Sequence, residues 1–300
     1  MGFRRVMIES PVSLSVKSGQ LIVQTAENTA SFPIEDLDAV LIENPQVRWT
    51  VSVVSALAEN GCAVYICNAK HMPNGILLPY MQHSRQFGML KKQMEVSLPR
   101  KKRLWQAIVM QKIRNQAACL RLYRLLSEAD HLSALAETVL SGDAGNVEGH
   151  AAAYYFSALY GKDFTRGLDS DGRNAALNYG YAIFRGAIAR TLAVYGLLPC
   201  FGVHHKSELN QFNLADDLIE PFRPLVDAYV AGIEVGETLT PECKRGLFGL
   251  LSYEMLFSGK RYDVSYTMEL FVQSLVRGFS DPSSALKTPV FHGLNKHRNE

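Results

Sequence analysis

Two adjacent histidines, His204 and His205, stand a short stretch ahead of three acids, Asp216, Asp217 and Glu220. Imidazole nitrogen together with carboxylate oxygen is a donor set that suits a divalent metal ion. The histidines follow a loop punctuated by Pro199 and Gly202, which breaks one apolar pattern before the next begins. Asp217 and Glu220 are three residues apart, so a helix would send both carboxylates out of one face. Like charges placed side by side repel unless a cation lies between them. The same residues also fit a plainer reading, with Asp216 as a helix N-cap, Glu220 as a solvated surface charge and the histidines as loop residues. Upstream, Gly142-Asp-Ala-Gly145 ends a helix and Asn146 suits the N-cap of the next, which puts Glu148 in a first turn, where the helix dipole favours a carboxylate.

The elements that must carry these residues fall into two halves. Residues 1–80 read as mostly β, with short apolar or β-branched runs at Arg4–Ile8, Leu14–Lys17, Gln20–Gln24, Ser31–Pro33 and Ala39–Ile42, divided by polar and turn residues. Ser18-Gly19 between two of these runs is a two-residue hairpin turn. Val51–Asn60 changes to helical spacing and stops at Asn60-Gly61, and Ala63–Cys67 returns as a buried strand. No catalytic constellation lies in this half, so its expected work is scaffold and subunit contact. Pro73, Gly75, Pro79, Gly88 and Pro99 mark the change of character, and the interval 81–100 is read as a linker.

From Leu104 the period is helical. Trp105, Ile108, Val109, Ile113, Ala117, Leu120 and Tyr123 make one apolar stripe that a long helix would turn to the core. Arg166–Asn174, with Asp169, Asp171 and Arg173, is a polar turn, and Ala175–Leu192 a helix that tolerates Gly180 and Gly186. Pro221 and Pro224 are expected to kink a helix running to Ala231, Thr240-Pro241 opens another, and Val264–Phe279 is the last long one. Residues 281–300, rich in turn formers and basic, are read as a flexible tail. The expected class is α+β and multidomain: a β-rich, sandwich-like domain over 1–80, then a larger all-α domain over 101–280 that carries the histidines and the acids, and with them any metal or DNA chemistry the chain performs.

Formal net charge is +2, too small to point to a polyanion if spread evenly, but it is not spread evenly. Between Arg85 and Arg124 eleven Lys and Arg face one acid, Glu95, the asymmetry of a protein that grips nucleic acid with one face. Lys101, Lys102, Arg103, Lys112 and Arg114 are the candidate phosphate contacts; a solvated basic helix is the plainer alternative for the 100–103 run. Five cysteines form no Cys-x-x-Cys pair, which fits reduced thiols in a cytoplasm rather than a disulfide framework or zinc ribbon. Glu9 interrupts the apolar run after Met1–Arg5, and Arg185 and Arg190 interrupt that from Ala182 to Val203, so neither a signal peptide nor a membrane span is expected.

Gly202-Val203-His204-His205 followed by Phe212-Asn-Leu-Ala-Asp-Asp-Leu-Ile-Glu-Pro-Phe-Arg-Pro224 resembles the signature of the CRISPR-associated adaptation integrase, the spacer-acquisition nuclease of these systems. Asn146-Val-Glu148-Gly-His-Ala151-Ala152 with Tyr155-Phe156, the Asp171 to Asn178-Tyr179-Gly180-Tyr181 stretch, Leu104-Trp105 to Asn115-Gln116, and Ser265-Tyr266-Thr267 extend the resemblance over nearly the whole chain. The motif wording is similar to members from type II systems, which use a single large RNA-guided nuclease.

The resemblance implies that Glu148, His205 and Glu220 are the catalytic metal ligands, binding Mg2+ or Mn2+, with Asp217 as a helper that touches a ligand or acts through water. His204 is expected to contact DNA or position the loop. Zn2+ also fits three ligands of this kind, and spacing does not exclude it. The implied reaction is transesterification: the 3′-hydroxyl of captured DNA attacks a phosphodiester at the edge of a CRISPR repeat. Implied partners are double-stranded DNA as spacer precursor and repeat, a second copy of the chain, the small second adaptation protein and the RNA-guided effector nuclease, with no membrane. A plain metal-dependent nuclease with water as nucleophile uses the same ligands. A non-catalytic DNA-binding scaffold is the alternative from another class.

Overall fold

The computed structural model describes residues 2–80, 83–168, 171–281 and 283–297; Asp169 of the expected polar turn and residues 298–300 lie outside them. The architecture is mixed, with a strand-rich N-terminal region and a helical C-terminal one. The chain divides into two compact units, Met1–Met89 with Ala189–Leu197, and Leu90–Ile188 with Leu198–Glu300.

In the first unit β1 (Arg4–Ile8), β5 (Leu37–Ile42), β7 (Ala63–Cys67) and β8 (Pro73–Leu77) form one sheet in that order. β1 and β5 pair in parallel with Val6 opposite Val40, β5 and β7 in parallel with Val40 opposite Val64, and β8 closes the edge antiparallel. All six residues of β5 are buried, as a central strand covered on both faces requires. Its one charge, Asp38, lies between two guanidinium groups, 3.2 Å from Arg5 and 3.0 Å from Arg190, the pairing that makes a buried carboxylate tolerable.

A second sheet has the order β4 (Thr29–Pro33), β3 (Gln20–Gln24), β2 (Ser13–Lys17) and β6 (Arg48–Trp49). Ser18 and Gly19 join β2 to β3 with φ of 49° and 73°, the left-handed pair that a tight hairpin turn needs. Helix α1 (Val51–Glu59) buries Val53 and Leu57, one turn apart. Residues of both sheets and of α1 share one apolar core, including Leu14, Leu21, Val40, Val53, Leu57 and Val64.

The second unit is built on α3 (Leu98–Leu122), preceded by α2 (Gln86–Glu95) and followed by α4 (Leu126–Ala136), α5 (Val147–Tyr160) and the part of α6 (Gly172–Val194) up to Ile188. The interval read as linker therefore carries α2 and the first residues of α3. Pro99 that suggested a break lies in the opening turn of α3, where a missing N–H costs nothing. Further on come α7 (Asn213–Ile219), α8 (Arg223–Ala231), α9 (Pro241–Gly249), β9 (Glu254–Phe257), β10 (Lys260–Asp263) and α10 (Val264–Ser280). The kink expected at Pro221 is a single-turn helix, Glu220–Phe222, between α7 and α8. Gly180 lets α6 approach α8: a Cβ there would stand 2.5 Å from the Val226 side chain.

Two expectations for this unit are corrected. It is not all-α, because β9 and β10 form a hairpin turned by Ser258 and Gly259, with φ of 52° and 79°. Nor is the segment after α10 a free tail. Phe291 is 2 % exposed, Val290 bridges to Leu256 and Lys296 to Tyr253. The Asn115 side chain on α3 binds both Pro289 O, at 3.0 Å, and Phe291 N, at 3.1 Å. An amide that donates and accepts in one place satisfies the backbone of an otherwise irregular segment, so the turn-forming residues there mark a docked segment.

No helix among the described residues is long and apolar enough to cross a membrane.

Candidate active site

The site is assembled on α3. The stripe from Trp105 to Leu120 is buried as its period predicts, but so are Gln111, Lys112, Asn115 and Gln116, because elements pack around most of this helix. Asn115 donates to Pro221 O at 2.6 Å, which pins the turn carrying Glu220 to the middle of α3.

Glu148 enters from the first turn of α5. Asn146 occupies the N-cap position in a left-handed conformation, φ 50°, but its side chain caps nothing. The Asp143 carboxylate does so instead, accepting from Val147 N at 2.9 Å and Glu148 N at 3.1 Å. That fixes the start of α5 and hence the direction in which Glu148 leaves it.

The two glutamates meet on one cation. The Lys112 ammonium pairs with Glu148 Oε1 and with Glu220 Oε2, and Arg223 Nε donates to Glu220 Oε1 at 2.7 Å. Burial alone would raise the Glu220 carboxyl, but Arg223 and Lys112 outweigh it and hold the group down at about 2. Burial likewise works against the charge on Lys112, and Glu220 and Glu148 outweigh it, so its pKa is raised. Glu220 Oε2 is buried and lacks a hydrogen bond among the described residues; its counter-charge is the Lys112 ion pair.

The histidines are set by Asp217, which is fully buried. Its Oδ2 accepts from Val203 N at 2.6 Å and His204 N at 3.0 Å, while Oδ1 accepts from His205 N at 3.1 Å and binds His205 Nδ1 at 2.7 Å. One carboxylate thus closes the loop and fixes the ring, leaving Nε2 of His205 for another partner. The hydrogen bond to Asp217 raises the pKa of His205; burial lowers that of His204. Trp105 braces both, stacked on His204 with ring centres 4.2 Å apart and edge-on to His205 at 5.6 Å. A cavity of about 250 Å3 opens at the glutamates, lined in part by Lys112, Glu148, Arg166, Tyr181, Glu220 and Arg223.

Asp217 and Glu220 do not share a cation as their spacing suggested: Asp217 turns to the loop, Glu220 to Lys112 and Arg223. Among the described residues no three of His, Cys, Asp and Glu stand close enough together to hold a metal ion, the space between the two glutamates being filled by Lys112. The donor chemistry nonetheless fits a divalent cation: two buried or half-buried carboxylates that already share a positive charge, and an imidazole with one nitrogen fixed.

Of the expected phosphate contacts, Lys102 and Arg103 are exposed and Lys101 is half-buried. Arg114 is exposed and paired with Glu137 at 2.7 Å. Lys112 is corrected: at 6 % exposure it faces the glutamates rather than solvent. The sequence reading missed that contact, the Asp143 cap, Trp105 at the histidines and Arg223 at Glu220. Lys112 did carry a signal, since it lies four residues after Ile108 and seven after Trp105, on the buried stripe itself.

A family model described as "CRISPR associated protein Cas1" matches residues 6–242. A "CRISPR-associated endonuclease Cas1" of Neisseria meningitidis serogroup C is 42% identical over 305 residues, covering 100% of each chain. Two solved structures share the fold. One, described as a casposase bound to integration product, has a TM-score of 0.73 at 19% identity and covers 99% of this chain and 96% of its own. The other, a Cas6-RT-Cas1–Cas2 complex, has a TM-score of 0.74 at 19% identity over 97% of this chain and 36% of its own. A profile match over most of the length, a relative of such identity end to end, and the shared architecture agree: the chain belongs to the CRISPR associated protein Cas1 family.

Proposed function

We propose that this chain is a divalent-metal-dependent DNA endonuclease and integrase of CRISPR adaptation, joining the 3′-hydroxyl ends of captured DNA to a CRISPR repeat by transesterification. The observation that carries this is the meeting of Glu148 and Glu220 on one cation, together with a His205 whose Nδ1 is held by Asp217. Support comes from a relative named as an endonuclease and a structural neighbour bound to an integration product.

Glu148, His205 and Glu220 would hold Mg2+ or Mn2+. When bound, the ion supplies Lewis acidity to a DNA phosphodiester. Glu220, with its carboxyl at about 2, stays an anionic donor throughout the physiological range. Asp217 keeps the His205 ring oriented and its Nε2 directed outward. Arg166 and Arg223 line the cavity beside these groups and offer guanidinium forks for phosphate oxygens. One P–O bond forms as another breaks, so the joining needs no nucleotide cofactor.

Lys101, Lys102 and Arg103 grip the duplex at its phosphates. The two sheets of the first unit pack as a sandwich and join two copies of the chain, because a duplex has two 3′ ends to join. The small second adaptation protein completes the complex in the cytoplasm, in keeping with the Cas1–Cas2 assembly among the structural neighbours; the effector nuclease of a type II system is a further partner. The relative's description as an endonuclease favours hydrolysis with water as the second reading.

Incubation with a labelled short duplex and a repeat-bearing plasmid, with Mn2+ and with or without the small partner, separates the two. Labelled DNA covalently joined at the repeat is expected. Nicking with no joined product under any condition would leave hydrolysis alone.

A further inference from the structure

The ammonium of Lys112 sits where a metal shared by Glu148 and Glu220 would bring its charge. Its stem comes from the middle of α3, between the buried Ile108 and Gln116, so it is not a surface side chain that has folded inward. The cluster of Glu148, Glu220, Lys112 and Arg223 holds two negative and two positive charges, and is balanced with no ion bound. Adding a divalent cation to this buried set would leave an excess of positive charge unless one cation gives way. Arg223 is tied to Glu220 Oε1 and lies over the Tyr181 ring, 4.3 Å from its centre. Lys112 lines the same cavity of about 250 Å3 as Asp227, and its flexible four-carbon chain can turn into that space.

We propose that Lys112 is a built-in counter-cation, which holds Glu148 and Glu220 together in the metal-free protein and competes with the divalent ion for them. This rests on the metal-site reading above. Lys112 is thus a positioning residue for the ligand pair. It keeps the two carboxylates from driving the turn Glu220–Phe222 away from α5 while no ion is present, and its retreat is part of metal binding. The arrangement lowers metal affinity in exchange for a preassembled site.

The test compares the full-length protein with Lys112→Met, which keeps the stem and removes the charge. In EDTA the melting midpoint of Lys112→Met should fall by roughly 10 °C, as two carboxylates lose a buried partner. By calorimetric titration its affinity for Mn2+ should rise at least about ten-fold, because a repelling charge is gone. Saturating Mn2+ should therefore recover most of the lost midpoint. A merely structural lysine would lower the midpoint and leave Mn2+ affinity unchanged or weaker, and that result overturns the inference. So does an unchanged metal-free midpoint. Equal Mn2+ affinity in both proteins removes the inference and leaves the metal site standing; no Mn2+ binding by either removes the metal site itself. If Lys112→Met does not fold without metal, the double variant Lys112→Met, Glu148→Gln decides. It should be the more stable of the two, since one stranded charge has been removed, and failure to regain folding overturns the proposal.

Discussion

Replacing Asp217 by Asn exchanges one carboxylate oxygen for an NH2 group and should disable the histidine loop. The carboxylate takes four donors, two on each oxygen: Val203 N and His204 N on Oδ2, His205 N and Nδ1 on Oδ1. An amide keeps one acceptor oxygen and turns its NH2 toward the other pair of donors. Two charge-assisted hydrogen bonds are lost, at about 1.5–3 kcal/mol each, so the cost reaches about 3–6 kcal/mol if the donors stay buried. His205 is partly exposed, and water can reach the loop once it loosens, which favours the lower end, about 3 kcal/mol. Thermal melting should then drop by roughly 5–10 °C. Mn2+-dependent DNA nicking should fall about 10–100-fold, the usual effect of losing the partner that orients a metal-binding histidine. An Asp217→Asn variant that melts within about 1 °C of the parent and nicks DNA at the parent rate would refute the clamp.

Three further outcomes follow from the same geometry. Asp227 is buried, and burial pushes its carboxyl up from 3.8 to about 7. The folded state thus prefers the proton; this contribution is full below about pH 4 and lost as pH rises through about 7, worth up to about 4 kcal/mol. Urea midpoints of Asp227→Asn should lack that decline, and a parent-like pH dependence in the variant would contradict it. Asn115→Ala removes the amide that holds Pro221, Pro289 and Phe291; about 2–3 kcal/mol of stability should go, with faster hydrogen exchange at Phe291 N than in the parent. Neutralising Lys101, Lys102 and Arg103 together should flatten the slope of log DNA affinity against log salt by about 2.7 if all three touch phosphate. An unchanged slope would make them a solvated helix start.

Much of the architecture was legible because it is written in local periods. The strand runs of the first unit and the stripe on α3 follow directly from side-chain alternation and helical spacing. Ser18-Gly19 announces its hairpin. Ser258-Gly259 turns β9 into β10 in the same left-handed way, yet it sits in a region that reads as all-α, since the strands beside it are only four residues each. Pro99 and the 281–300 segment show the limit of composition. Proline marks a helix start as readily as a linker, and turn formers do not reveal that Asn115 waits to receive the backbone of Pro289 and Phe291. At the site, the family resemblance pointed to Glu148, His205 and Glu220, but not to what holds them. A lysine on an apolar stripe signals a buried partner. Which carboxylates supply it is set by contacts 36 residues apart for Glu148, beyond any local pattern. Asp217 could equally have faced Glu220, as helical spacing allows; the open N–H groups of the loop Val203–His205 decided otherwise.

The central claim is that Glu148, Glu220 and His205 form one metal centre, with His205 binding through Nε2 because Asp217 holds Nδ1. Pulsed electron paramagnetic resonance on the protein loaded with one equivalent of Mn2+ tests it most directly. The parent should show a nitrogen coupling from a directly bound imidazole, absent in His205→Ala and retained in His204→Ala, with Mn2+ affinity lowered in Glu148→Ala and Glu220→Ala. A bound Mn2+ with no nitrogen coupling, or one that keeps its coupling in His205→Ala, would contradict it.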